Sequence, residues 1–149
     1  MTHADDLRAW ARGMYTIEAA TELLLRGFGG KFAAPGNPWV HTSTEPQGPG
    51  QVNAWIDFAS IPEEAGPLSG GEHRFLMLAA SLAEDVPVVL SDIVPGLDRE
   101  NLDLVLAAIA HAGGSHQHSD IRFNEDGSMS RGKGYLVSLH PWPQPVRTV

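Results

Sequence analysis

Four residues within ten positions carry side chains that bind metals: His111, His116, His118 and Asp120. If that stretch is extended, His116 and His118 project from one side, because alternate residues of a strand share a face. Two imidazoles and a carboxylate, here His116, His118 and Asp120, suit a divalent transition metal, with an open coordination position for water. The chemistry implied is that of a metal-dependent hydrolase or lyase. The opposing reading is structural. The triplet follows Gly113-Gly114-Ser115, a loop composition, and no His-Glu-x-x-His helix is present. His111 falls in the last turn of an expected helix, where a histidine sits favourably at the negative end.

Other catalytic chemistries find less support. None of the ten serines lies in a Gly-x-Ser-x-Gly elbow. The chain has no cysteine, which removes thiolate catalysis, Cys-ligated zinc and a disulfide framework. Arg131-Gly132-Lys133-Gly134 is a cationic, glycine-rich stretch sufficient for one anion contact.

A longer pattern begins at Leu68-Ser69-Gly70-Gly71-Glu72, continues through Val88-Val89-Leu90-Ser91-Asp92 and ends at Gly96-Leu97-Asp98. Over about 30 of the 149 residues this resembles the signature loop, Walker B strand and D-loop of ABC transporter nucleotide-binding cassettes. The resemblance implies a signature loop touching ATP on a second subunit, Asp92 serving magnesium, and a catalytic Glu after it. The residue after Asp92 is Ile93. The nearest approach to a phosphate-cradling loop, Gly30-Lys31-Phe32, has Leu25 in place of the first Gly and Phe32 in place of the Ser/Thr. ATP binding is therefore not expected. The same letters serve local structure: Ser69 and Glu72 fit a capping box, and Asp98 fits a helix N-cap.

Charge and aromatic residues point towards an interaction surface. The formal net charge is −8, and the segment 57–103 carries all of it, which disfavours binding to a phosphate backbone. Trp39, Trp55 and Trp142 fall in or beside expected strands, and Glu84-Asp85 closes an expected acidic helix. Tryptophans on a sheet face anchor interfaces as readily as they fill cores. The acidic face either keeps the chain dispersed or meets a basic partner. Glu72, Glu84, Asp85, Glu100 and Asp103 are expected to face water. The leading expectation is a small acidic cytoplasmic binding protein without catalytic activity or cofactor. It would engage a protein partner, or a second copy, through Trp39, Trp55, Glu84, Asp85 and Trp142. The alternative is the metal-dependent hydrolase or lyase built on His116, His118 and Asp120.

The elements that must position these residues follow from periodicity. Length and an ordinary globular composition predict one domain over 1–149. Leu7, Trp10, Met14, Ile17, Thr21 and Leu24 recur at helical spacing, predicting a helix over 5–26 with a kink or break at Gly13. Further helices are expected over 72–83 and 99–111, the latter with Leu102, Val105, Leu106, Ile109 and Ala112 inward. The run 86–94 reads as a short helix rather than a strand, because Pro87 and Pro95 flank it. Strands are expected at 39–42, 52–58, 121–123 and 135–140, with Val52, Ala54, Ile56 and Phe58 on one face. The sum is an α+β fold with a small antiparallel sheet of about four strands packed against three main helices. No apolar run is long enough to span a membrane. The acidic N-terminus lacks the pattern of a secretory leader.

Overall fold

The computed structural model describes residues 2–44, 52–68, 70–117 and 119–144. Helix α1 (His3–Ala11) starts where Thr2 and Asp5 cap each other: the Thr2 hydroxyl accepts the Asp5 N–H at 3.1 Å, and the Asp5 carboxylate accepts the Thr2 N–H at 3.1 Å. The chain then leaves the helix at Arg12 and turns through Gly13 at φ +97°, a left-handed conformation that glycine adopts without steric cost. Helix α2 (Tyr15–Arg26) restarts after it. The helical periodicity over 5–26 is thus real, and Gly13 breaks it into two helices. Met14 lies at the break and is exposed, although its phase placed it inward.

Helix α2 is the centre of the molecule. It buries Ala19, Ala20, Thr21, Leu23 and Leu24 and packs against α1, α4 (Gly70–Ala83) and α6 (Arg99–Ala112). Phe58, Phe75, Leu7, Leu23, Leu24, Ile61 and Leu76 fill the core between them; each stabilises by about 1.5–3 kcal/mol relative to an exposed side chain. Phe75 is pinned edge-on by Phe28 at 5.3 Å. Asp98 caps α6, its carboxylate accepting the Asn101 N–H at 2.7 Å. Ser69 lies outside the described residues, so the capping box expected there is untested.

The buried face of α6 differs from the sequence expectation. Asn101, Leu104, Val105, Ala107 and Ala108 are inward, whereas Leu102, Leu106 and Ile109 are 36, 45 and 54% exposed. Both stripes have helical spacing. The inward stripe combines Leu104 and Val105 with the small Ala107 and Ala108, side chains that permit close packing of α6 on its neighbours. The run 86–94 does contain a short helix, α5 (Leu90–Ile93), followed by a 3-10 turn at Val94–Gly96. A strand leading to Asp92, which the cassette resemblance requires, is absent there. Gly30-Lys31 follows a helix, and the Lys31 ammonium pairs with the Glu72 carboxylate.

Among the described residues the single four-stranded sheet is replaced by two separate two-stranded pairs. Strands β1 (Val40–Thr42) and β2 (Ala54–Ile56) make one antiparallel pair, and β3 (Ser119–Phe123) and β4 (Met129–Tyr135) make another. In the first, Ala54 and Ile56 turn inward and Trp55 outward, stacked on its cross-strand neighbour His41 at 5.5 Å. The alternation read from the sequence is correct for the residues of the ladder. In the second, the strand expected at 135–140 is displaced to Met129–Tyr135. Apolar composition favoured the later residues, but a tight turn with Gly127 at φ +83° and an Asn124 N–H to Ser128 carbonyl bond of 2.8 Å fixes the earlier register. Residues 136–140 instead run back along α6, where the Leu139 N–H donates to Ser115 Oγ at 3.2 Å and His140 Nε2 meets Asp103 Oδ1 at 2.6 Å. A short helix, α3 (Ile61–Glu64), links β2 to α4. The fold is α+β and dominated by helix. Among the described residues no helix is long and apolar enough to cross a membrane.

Candidate metal centre

Helices α2 and α6 run antiparallel, so Glu18 in the first turn of α2 faces His111 in the last turn of α6. Glu18 Oε1 lies 2.8 Å from His111 Nε2. Its other oxygen accepts the Gly13 N–H at 2.9 Å. The glycine that breaks the first helix therefore also orients the carboxylate. His116 arrives from the C-terminal side of α6. Gly113 and Gly114 end the helix, Gly114 at φ +75°, and a 3-10 turn at Ser115–Gln117 folds the chain back. Ser115 fixes that turn by donating to the Ala110 carbonyl at 3.0 Å. The His116 ring then stacks on His111 with centroids 4.1 Å apart and planes 8° from parallel. Tyr15 meets the His116 ring edge-on at 4.9 Å.

One ligand atom each from Glu18, His111 and His116 lie within 4.8 Å of one another, and all three side chains are half-buried. Two ligands on a tetrahedral zinc ion are about 3.3 Å apart, given metal–ligand bonds of about 2.0–2.2 Å. Closing that difference needs rotation of the stacked rings about their terminal torsions, so that their nitrogens converge. Burial raises the Glu18 pKa, but the Gly13 N–H, the His111 hydrogen bond and the two imidazoles outweigh it and hold the carboxyl below its ordinary range. It is thus ionised, as ligation requires.

A pocket of about 250 Å³ opens beside this cluster. Ala11 and Arg12 line it from the end of α1 and the turn, Thr21 and Glu22 from α2, and Trp142 from the C-terminal segment, with Glu18 and His111 in the same wall. Glu22 joins the two helices: Arg8 Nε lies 2.6 Å and Arg26 Nε 2.8 Å from its oxygens. Burial raises the Glu22 pKa, but the hydrogen bonds and charges of the two arginines outweigh it, for a net shift downward. Trp142 lies against the Arg26 guanidinium at 4.9 Å and beside His111 at 6.1 Å. The Thr21 hydroxyl is buried and has no hydrogen-bond partner.

Of the metal ligands read from the sequence, His116 belongs to this cluster. His118 lies outside the described residues, and so does the side chain of Asp120 in β3. Their places are taken by His111 and by Glu18, which sequence reading missed because it lies 93 positions from its partner. The available signal was Glu18, Glu22 and Arg26 at successive turns along the border of the apolar stripe. Among the aromatic residues proposed for a surface, Trp39 requires correction. It is 2% exposed and donates its indole N–H to the Phe32 carbonyl at 2.8 Å, which makes it a satisfied core residue. Trp55 is partly exposed, Trp142 lines the pocket, and Glu84 and Asp85 are exposed at the end of α4. Glu100 also faces water, whereas Glu72 and Asp103 are half-buried and paired with Lys31 and His140.

No protein-family model, no curated protein and no solved structure matches this chain.

Proposed function

We propose that the protein binds one divalent transition-metal ion through Glu18, His111 and His116, and uses it in hydrolytic or lyase chemistry on a small molecule held in the adjoining pocket. The observation that carries this reading is the convergence of ligand atoms from Glu18, His111 and His116 within 4.8 Å, two of these residues, Glu18 and His111, also lining that pocket. Two imidazoles and one carboxylate favour zinc, and three protein ligands leave a position for water. A zinc ion held by Glu18, His111 and His116 would supply Lewis-acid chemistry and would lower the pKa of a water at its open position towards neutrality, which is what hydrolysis at neutral pH needs. The proposal sets this chemistry in the cytoplasm, in keeping with a chain that has no cysteine to oxidise.

The test is metal content after equilibration with zinc and dialysis, with cobalt as a spectroscopic substitute. Wild type is expected to hold one equivalent, and His111→Ala and His116→Ala to lose it. Retention in His111→Ala together with loss in a His118→Ala/Asp120→Asn variant would move the site to the loop and overturn the assignment.

A second reading, a binding module for a protein partner, is favoured by the exposed stripe Leu102, Leu106 and Ile109 on α6. Clustered apolar side chains on a small protein mark contact surfaces. Sedimentation of wild type and Leu106→Asp over a range of concentrations separates self-association from a monomer.

A further inference from the structure

We infer that the pocket beside Glu18 and His111 is a subsite for a small organic anion, with Arg12 as the cation that captures it. The inference rests on the metal reading for its chemistry but has its own physical basis. The chain carries a net charge of −8 with only ten Lys and Arg. Three of them, Arg8, Arg12 and Arg26, line this one pocket of about 250 Å³. A cationic concavity on an acidic protein is selective for anions, since the remaining surface repels them.

Glu18 and Glu22 also line the pocket, but their oxygens are already committed. Glu18 accepts from Gly13 and His111. Glu22 accepts from Arg8 and Arg26. Each guanidinium has five N–H donors. Arg8 uses its Nε and one terminal nitrogen on Glu22, and Arg26 uses its Nε on Glu22 and one terminal nitrogen on the Pro143 carbonyl. Arg12 has no hydrogen bond or ion pair among the described residues. The acceptors are therefore satisfied while donors remain in surplus, the condition that a carboxylate or phosphate completes.

Two further features set the ligand's character. Thr21 lines the pocket, and its hydroxyl is buried without a partner, a kind of group that ordinarily has a ligand or ordered water to satisfy it. Trp142 and Ala11 supply an apolar wall, which suits an organic group attached to the anion. The volume lies below the ~300–1,000 Å³ typical of drug-sized sites, so the ligand is small.

Benzoate is the probe, with benzamide as its uncharged analogue and inorganic phosphate as an anion lacking an organic part. Calorimetric titrations of the wild-type chain and Arg12→Gln, each metal-free and zinc-loaded, form the experiment. Benzoate is expected to bind metal-free wild type, at least tenfold more tightly than benzamide or phosphate. Arg12→Gln is expected to weaken it roughly ten- to hundredfold, the range for losing a charged hydrogen bond. Arg12 is exposed, so its substitution leaves the fold intact. Benzoate binding that is absent, matched by benzamide or phosphate, or indifferent to Arg12 would overturn the inference. Failure to bind zinc while Arg12-dependent benzoate binding persists would instead overturn the metal reading alone.

Discussion

Glu18 Oε1 and His111 Nε2 stand 2.8 Å apart across the α2–α6 interface, although 93 positions separate them in the chain. The pair ties together the two helices that make the most extensive helix–helix contact among the described residues. His116 stacks on the same imidazole. Any ion bound there would join the start of α2, the end of α6 and the turn beyond it.

That topology predicts stabilisation by metal. At a free zinc concentration a hundredfold above Kd, binding to the native state alone contributes about 2.7 kcal/mol. For a domain of this size that corresponds to a rise in Tm of roughly 5–10 °C. The rise should be absent in His111→Ala and His116→Ala. Differential scanning calorimetry with and without zinc measures it, and an equal rise in the histidine variants would place the ion elsewhere.

Gly13 links backbone conformation to the site. Its φ of +97° strains any side chain, although an added Cβ meets nothing within 4 Å. Gly13→Ala should therefore cost about 1 kcal/mol through backbone strain alone. Because the Gly13 N–H orients Glu18, the substitution should also weaken zinc binding. Urea unfolding and zinc titration on one sample separate the two effects; unchanged affinity would remove Gly13 from the metal site.

Glu22 predicts a pH dependence with a definite sign. Its folded pKa lies below the ordinary glutamate value, so its stabilisation is complete above that ordinary value, near ~4.3. It is lost as pH falls through the lower folded value, where the folded carboxylate takes up a proton. The Glu22→Gln substitution should cost about 1–2 kcal/mol at neutral pH, less than a fully buried pair because both arginines are partly exposed. Wild type and variant should converge in acid. Denaturant midpoints measured from pH 7 downward give the difference, and a gap that stays constant into acid would show that charge is not its source.

Local structure was largely legible from the residues, and tertiary choices were not. Gly13 as a breaker, Asp98 as an N-cap and the inward Ala54/Ile56 face depend on neighbours in sequence. The buried side of α6 depends on what packs against it: two apolar stripes are available, and the packing leaves Leu102, Leu106 and Ile109 outside. The displaced β4 strand has the same origin, since the Gly127 turn sets a register that overrides the apolar run after Tyr135. For the site, histidine clustering located His111 and His116, but a helix carboxylate such as Glu18 looks like any solvated glutamate until α6 is packed against it.

Gly27 tests the tightness of the core behind the site. It closes α2 with an extended backbone that any residue adopts, at φ −75° and ψ 146°. A Cβ added there would lie 2.5 Å from Phe75 Cζ. Phe75 is fully buried and held by Phe28, so the ring has nowhere to move. Gly27→Ala should destabilise by about 1–3 kcal/mol through overpacking, and Gly27→Ala/Phe75→Leu should recover part of that loss. Equal or greater stability in the single variant would show that the ring can shift.

Thr21 separates a residue kept for folding from one kept for a ligand. Its hydroxyl is buried inside α2 with no hydrogen-bond partner, an arrangement that costs about 1–3 kcal/mol in desolvation. Valine has nearly the same shape and a similar helix propensity, and it removes the orphaned group. Thr21→Val should therefore leave the ligand-free protein as stable as wild type or more so, by up to about 1 kcal/mol. The same substitution should weaken benzoate binding if the hydroxyl serves the pocket. Unfolding and benzoate titration of the one variant give both readings. A loss of stability beyond about 1 kcal/mol would show that the hydroxyl is satisfied in the folded chain, and with it the argument that the pocket wall awaits a polar partner would fall.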